Sequence, residues 1–349
     1  MRYIALLPLL FAIPFLSADW KEKTYRGANC GPHLTEQDVA DFADYGGNLL
    51  RVAFPTLLFR YLEAPYDFNE EAFTELDRIL ALGEKYDVDI LIDPHRYPGM
   101  IFPWTTFASD EFWKDFKYHD LFIETWTEIA TRFGSKYDSI AGYDLINEPA
   151  LLRGGNIGQA RDLNLLYQKT VAAIREIDPD TYIVLASPRL RYGDQVVSYN
   201  NGIFYLQLPD DPNLVVETHM YTPQSLTHQD FWDREGKLID YPGVIDGRLW
   251  NADTVAENFQ EVIEFQKKTG VPIFIGEFSV TRWRGESGDQ YVKDVIDLAE
   301  AHGFHWAYHA YRESPIWDPE MSNTDKSDES RSPNAPRIEL LKSYWQQNK

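Results

Sequence analysis

The chain has 349 residues, enough for one large α/β barrel or two ordinary domains. Hydrophobic residues at 44% and charged residues at 25% are the balance of a folded, water-soluble chain, which excludes a disordered or membrane-embedded one. A net charge of −22 excludes a nucleic-acid binder, because a phosphate backbone needs a basic footprint; acidity alone names no substrate.

The N-terminus reads as an export signal. Arg2 precedes an apolar run from Tyr3 to Leu16 that ends in Ser17-Ala18, and the run is too short, and too interrupted by Pro8 and Pro14, to span a bilayer. Residues 1–18 are therefore assigned to a cleaved leader and 19–349 to one folded domain, secreted or periplasmic, with an uncleaved anchor as the competing reading. The single cysteine, Cys30, rules out an internal disulfide and reads as a small buried residue.

From there strand-like and helix-like patterns alternate. Strands are expected at Tyr25–Asn29, Asn48–Ala53, Val88–Asp93, the run Tyr143–Ile146, Thr181–Ala186, Leu214–His219, Val271–Glu277 and Phe304–Ala310. Helices are expected after the Thr35 cap, over Asn69–Tyr86, Asp110–Phe133, Ile157–Ile177, Ala252–Thr269, Asp289–His302 and Arg337–Trp345. Eight strands alternating with helices predict a single (β/α)8 barrel. A doubly wound sheet would want a Gly-rich phosphate turn after its first strand, and Arg26-Gly27-Ala28-Asn29-Cys30-Gly31 is not one. The Ser- and Asp-rich tract from Asn323 to Ser332 reads as a solvated loop.

Active residues of such barrels stand at the C-terminal strand ends. Those positions offer Arg51, His95, Asn147, Glu148, His219, Tyr221, Glu277 and the segment Trp306 to Arg312. Two glutamates directly after apolar runs, Leu-Ile-Asn and Phe-Ile-Gly, are the strongest signal. A lone buried carboxylate is costly, and two on distant strands supply what acid/base work on a glycosidic bond requires. The aromatic share of 15%, with 10 Trp and 21 Tyr, fits either a large core or a sugar-stacking cleft. Trp104, Trp232, Trp250 and Trp283 fall on loops after strands, where they either rim a cleft or pack the loops down. The histidines lack the spacing of a metal site.

Arg26-Gly27-Ala28-Asn29, Asn48 to Val52, Asp93-Pro94-His95 with Pro98-Gly99, Tyr143 to Pro149, His219 to Pro223 and Ile275-Gly276-Glu277-Phe278 together resemble glycoside hydrolase family 5, the cellulase and mannanase family of clan A. The resemblance implies a retaining mechanism with Glu277 as nucleophile and Glu148 as general acid/base, Asn147 on the sugar 2-hydroxyl, and His95 and His219 lining the same subsite. On this reading Arg51 and Tyr221 keep Glu277 charged, whereas Glu148, lacking a cation and facing Glu277, stays protonated. Strand eight departs from the family, which commonly has a Trp where His309 stands here. Trp306, three residues earlier, points to the other face if strand geometry holds, leaving Trp317 as a replacement platform.

The expectation is a monomeric, cofactor-free and metal-free retaining β-1,4-glycanase acting on a polysaccharide or oligosaccharide, endo-β-1,4-glucanase first. It needs no nucleic acid and no stable membrane insertion after the leader is removed. Endo-β-1,4-mannanase and exo-acting β-glycosidase are the rivals of its own class, and a non-catalytic carbohydrate-binding barrel is the rival of another.

Overall fold

The computed structural model describes residues 19–149, 158–192, 195–198, 200, 202–231 and 239–348; the expected leader and Trp232 lie outside the described residues. Eight parallel strands close into a barrel: β1 (Arg26–Cys30), β2 (Leu49–Ala53), β3 (Asp89–Asp93), β4 (Ile140–Asp144), β5 (Ile183–Ala186), β6 (Leu214–Met220), β7 (Ile273–Phe278) and β8 (His305–Tyr308). Each strand pairs with its neighbour in sequence, and β8 pairs with β1 through Arg26 and Trp306, so no edge is left open.

The strands are short apolar runs buried on both faces, as parallel strands covered by helices must be. Helix α1 (Glu36–Tyr45) starts where Thr35 accepts from the Asp38 amide and the Asp38 carboxylate returns to the Thr35 amide. Such a capping box stabilises a helix start by about 1 kcal/mol. Helix α2 (Glu70–Tyr86) is capped by Asn69 and buries Phe73, Leu76, Ile79 and Leu80. The stretch expected as one helix from Asp110 breaks into a 3-10 turn, Glu111–Trp113, and α3 (Phe116–Phe133), because the Asp115 side chain accepts from the Lys117 amide and starts a new helix. The Ala252–Thr269 helix is likewise split at Phe259.

Two cores result. Most apolar side chains fill the layer between strands and helices. A smaller cluster, including Leu49, Leu91, Val184, Val215 and Phe274, fills the lower barrel interior, and Trp20 closes it from below with Nε1 donating to the Ala141 carbonyl at 2.7 Å. Cys30 is buried and free, and residues 324–334 are exposed, as a solvated loop should be. No described helix is long and apolar enough to cross a membrane.

Strand eight removes one candidate from the site, in the direction that its spacing from His309 implied. Trp306 points out of the barrel, not into its mouth: its ring packs against Phe278 and Tyr344, and Nε1 donates to Glu300 Oε1 at 2.9 Å. The alternation of side chains along a strand puts it there, and it takes no part in the site.

Candidate active site

The upper end of the barrel interior is ionic rather than apolar. Arg51, from the middle of β2, is fully buried and is held by residues of five other barrel strands at once. Its Nε reaches Asp144 at 2.7 Å and Glu217 at 3.4 Å, Nη2 reaches Asp93 at 3.0 Å and Asn147 Oδ1 at 2.9 Å, and Nη1 reaches Asn29 at 2.9 Å and Glu277 at 2.8 Å. A guanidinium has five N–H donors in a fixed fork, and this one spends them orienting the strand ends. Asp93, Asp144 and Glu217 were not among the residues expected from sequence. The one trace of Glu217 in the sequence is an acid inside the otherwise strand-like run Leu-Val-Val-Glu-Thr-His-Met.

Glu277 lies at the end of β7, 7% exposed, receiving Arg51 on one oxygen and the Tyr221 hydroxyl on the other at 3.0 Å. Burial alone would raise its pKa. The charges of His219, His309, Arg51 and His95 outweigh burial and hold the carboxyl well below the usual range. Glu148 follows β4 after a short extension through Leu145, whose amide still pairs with Val184, and adopts φ of 44°, a left-handed conformation that is uncommon without glycine. Its Oε1 stands 3.1 Å from His219 Nδ1.

The expectation that Glu148 lacks a cation, and keeps its proton for want of one, is overturned. Arg189, just beyond β5, places Nη1 3.1 Å from Glu148 Oε2. Burial pushes the Glu148 pKa up and so does Glu277, but Arg189 and the His219 imidazolium outweigh both and lower it. His219 is the hub between the acids. Nδ1 faces Glu148 and, at 3.6 Å, Glu277, while Nε2 faces Glu217 at 3.1 Å. Burial opposes its charge, but the three carboxylates push its pKa up to about 10.

One oxygen of each glutamate and a His219 nitrogen lie within 4.8 Å of one another, the one grouping among the described residues with the spacing of a metal site. The donor chemistry argues otherwise. Arg51 and Arg189 already pair with the two carboxylates and both His219 nitrogens face carboxylates, so the positive charge a metal would bring is already supplied by the protein.

The remaining expected residues divide. His95 holds Asp93 through Nδ1 at 2.6 Å and faces the Asn147 amide through Nε2 at 3.1 Å. The Asn147 amide nitrogen also donates to the Trp104 carbonyl at 2.8 Å, which ties the loop after β3 to the mouth. His309 sits beside Tyr221, and Trp317 lies 5.9 Å from His309 and 6.4 Å from Tyr221 by ring centroid, stacked on Phe231. Of the tryptophans expected on loops, Trp104 is 62% exposed, Trp283 is half-buried under Lys326, and Trp250 is buried at the end of a short antiparallel strand, Arg248–Trp250.

The chain matches the family described as "Cellulase (glycosyl hydrolase family 5)" over residues 17–314. Endoglucanase C of Acetivibrio thermocellus is 24% identical over 318 residues, spanning 84% of this chain and 87% of that one. Cellodextrinase A of Ruminococcus flavefaciens is 26% identical over 265 residues, 71% of this chain and 69% of the relative. A solved hyperthermophilic endo-beta-1,4-glucanase superposes with a TM-score of 0.71 at 21% identity, covering 93% of this chain and 98% of that one. With a matching profile across most of its length and a closed eight-stranded barrel carrying two glutamates at one mouth, the chain belongs to glycosyl hydrolase family 5 and is a glycoside hydrolase.

Proposed function

We propose that the enzyme is a retaining endo-β-1,4-glucanase in which Glu277 attacks the anomeric carbon and Glu148 protonates the leaving oxygen. The observation that carries the reading is the approach of the two carboxyls, one oxygen of each within 4.8 Å. That spacing suits direct attack (about 5–5.5 Å between carboxyls) and not the roughly 6.5–9.5 Å that leaves room for a water in an inverting site. Glu277 has the environment of a nucleophile, anionic and oriented by Arg51 and Tyr221. Glu148 then returns as base, deprotonating the water that hydrolyses the glycosyl-enzyme. Asn147 and His95 are assigned to the sugar hydroxyls, and His309 with Trp317 to the floor that strand eight supplies elsewhere in the family. The names of the relatives support β-1,4-glucan as substrate.

The test pairs two variants with a substrate panel. Glu277→Ala should abolish hydrolysis of β-glucan. Glu148→Ala should lose at least about 100-fold on β-glucan yet keep activity on a dinitrophenyl β-cellobioside, whose leaving group needs no proton. The parent should release a mixture of oligomers early from β-1,4-glucan, faster than from mannan or xylan. Unimpaired Glu277→Ala would end the mechanism, and a single small product from the start would replace endo by exo action.

A further inference from the structure

Arg189 belongs to no expectation drawn from the sequence, yet it contacts Glu148 at both its carboxylate and its backbone carbonyl. Nη1 meets the Glu148 carboxylate at 3.1 Å, Nε donates to the Glu148 backbone carbonyl at 3.1 Å, and Nη2 donates to the Thr106 carbonyl at 2.8 Å. The Arg189 amide donates to the Pro149 carbonyl at 2.8 Å. The side chain is 4% exposed, so its charge is poorly screened by water. One guanidinium thus bridges the ends of β4 and β5 to the loop after β3, gripping the residue whose backbone is in the left-handed region by both carboxylate and carbonyl.

We propose that Arg189 is a positioning residue that fixes the Glu148 carboxyl and sets the pH range over which it can act as the acid. The proposal rests on Glu148 being the acid/base. The other charged groups facing Glu148 are His219 from β6, Glu277 from β7, and His228 from the turn after β6. Glu277 opposes ionisation of Glu148, His219 favours it in company with Arg189, and His228 is held largely neutral by burial, with a pKa of about 4. Arg189 is the one permanent cation in the set, because arginine does not lose its proton in the working range.

Taking that charge away lets Glu148 keep its proton to higher pH. The measurement is the pH profile of kcat/KM for the parent, Arg189→Gln and Arg189→Lys, each on a β-1,4-oligoglucoside and on dinitrophenyl β-cellobioside. With the oligoglucoside, the basic limb of Arg189→Gln should move to higher pH by at least ~0.5 unit. Arg189→Lys, which keeps the charge and loses the fork, should leave the limb within ~0.2 unit of the parent while lowering the plateau. With the activated substrate the displacement should vanish, because no proton is delivered there. A uniform loss of kcat/KM in both variants with an unmoved limb overturns the proposal and leaves Arg189 a structural tie. Should Glu148→Ala fall equally on both substrates, it is the acid assignment that fails, an outcome separate from the Arg189 profile.

Discussion

At the scale of single residues, the site is a problem in placing too many acids around too few cations. Asp93, Asp144, Glu217, Glu277 and Glu148 converge at one barrel end, and Arg51, Arg189 and the imidazolium of His219 answer them. Buried carboxylates at such spacing survive only when paired. His219 is the titratable cation of this set, and its folded pKa of about 10 lies above the ordinary 6.5. A raised histidine contributes stability that is fully present below the unfolded value and is lost as pH rises through the folded one. The stability gap between the parent and His219→Asn, read from denaturant unfolding, should therefore be widest below pH 6.5 and close progressively toward pH 10. A gap that stays constant over this range would mean that folding does not raise the His219 pKa. The pairing logic also explains what sequence reading caught and missed. Glu148 and Glu277 follow apolar runs, so their cost is visible in one dimension. Arg189 follows Ser187-Pro188 just beyond β5, a strand whose end offered no site residue in the sequence, and the pairing of β5 with β4 brings it to Glu148.

At the scale of one element, β7 decides how Glu277 is aimed. Its pairing with β6 runs Ile275 to Thr218 and then Glu277 to His219, so Gly276 is an extra residue in the ladder, and the same irregularity recurs against β8. A bulge of this kind re-aims the following side chain, and here it turns Glu277 toward Arg51 and Tyr221. Glycine is required at the bulge because a Cβ there would stand 1.6 Å from Glu217 Oε1. Gly276→Ala must displace Glu217 from Arg51 and His219, an overpacking that costs about 1–3 kcal/mol or more. It should also depress kcat on β-glucan far more than KM, since the nucleophile moves while the outer sugar contacts stay. Wild-type kcat in a folded Gly276→Ala protein would show that the bulge has no bearing on Glu277. The strands themselves were legible to within a residue or two, save β4, which starts three residues before the expected run at Tyr143, because strands buried on both faces read as uninterrupted apolar runs. The bulge was not, since Phe-Ile-Gly-Glu-Phe reads equally well as a regular strand. Helix breaks at Asp115 and Phe259 escaped for a related reason: the apolar period continues across them while a side-chain cap or a tightened turn resets the backbone.

At the scale of the whole molecule, stability and chemistry are assigned to opposite ends of one barrel. The upper layer is filled with charge and must hold Glu148 in a costly backbone conformation. The lower interior is apolar, and its seal is Trp20, buried to 2% exposure against Tyr25, Phe274 and His305. With no disulfide open to a chain carrying one cysteine, cohesion must come from packing of this kind. Strands of five residues separate the two ends by about 17 Å. Trp20→Ala removes the seal and the hydrogen bond to Ala141, at a cost of about 3–5 kcal/mol. Because the seal is remote from the carboxyls, kcat/KM on β-glucan below the melting transition should remain within about threefold of the parent, the two sites being far enough apart to behave independently. A thermal melt read beside low-temperature kinetics separates the two quantities. A folded Trp20→Ala enzyme with kcat/KM reduced 100-fold or more would show that the seal and the catalytic mouth are coupled through the barrel, and the division of labour between its ends would have to be abandoned.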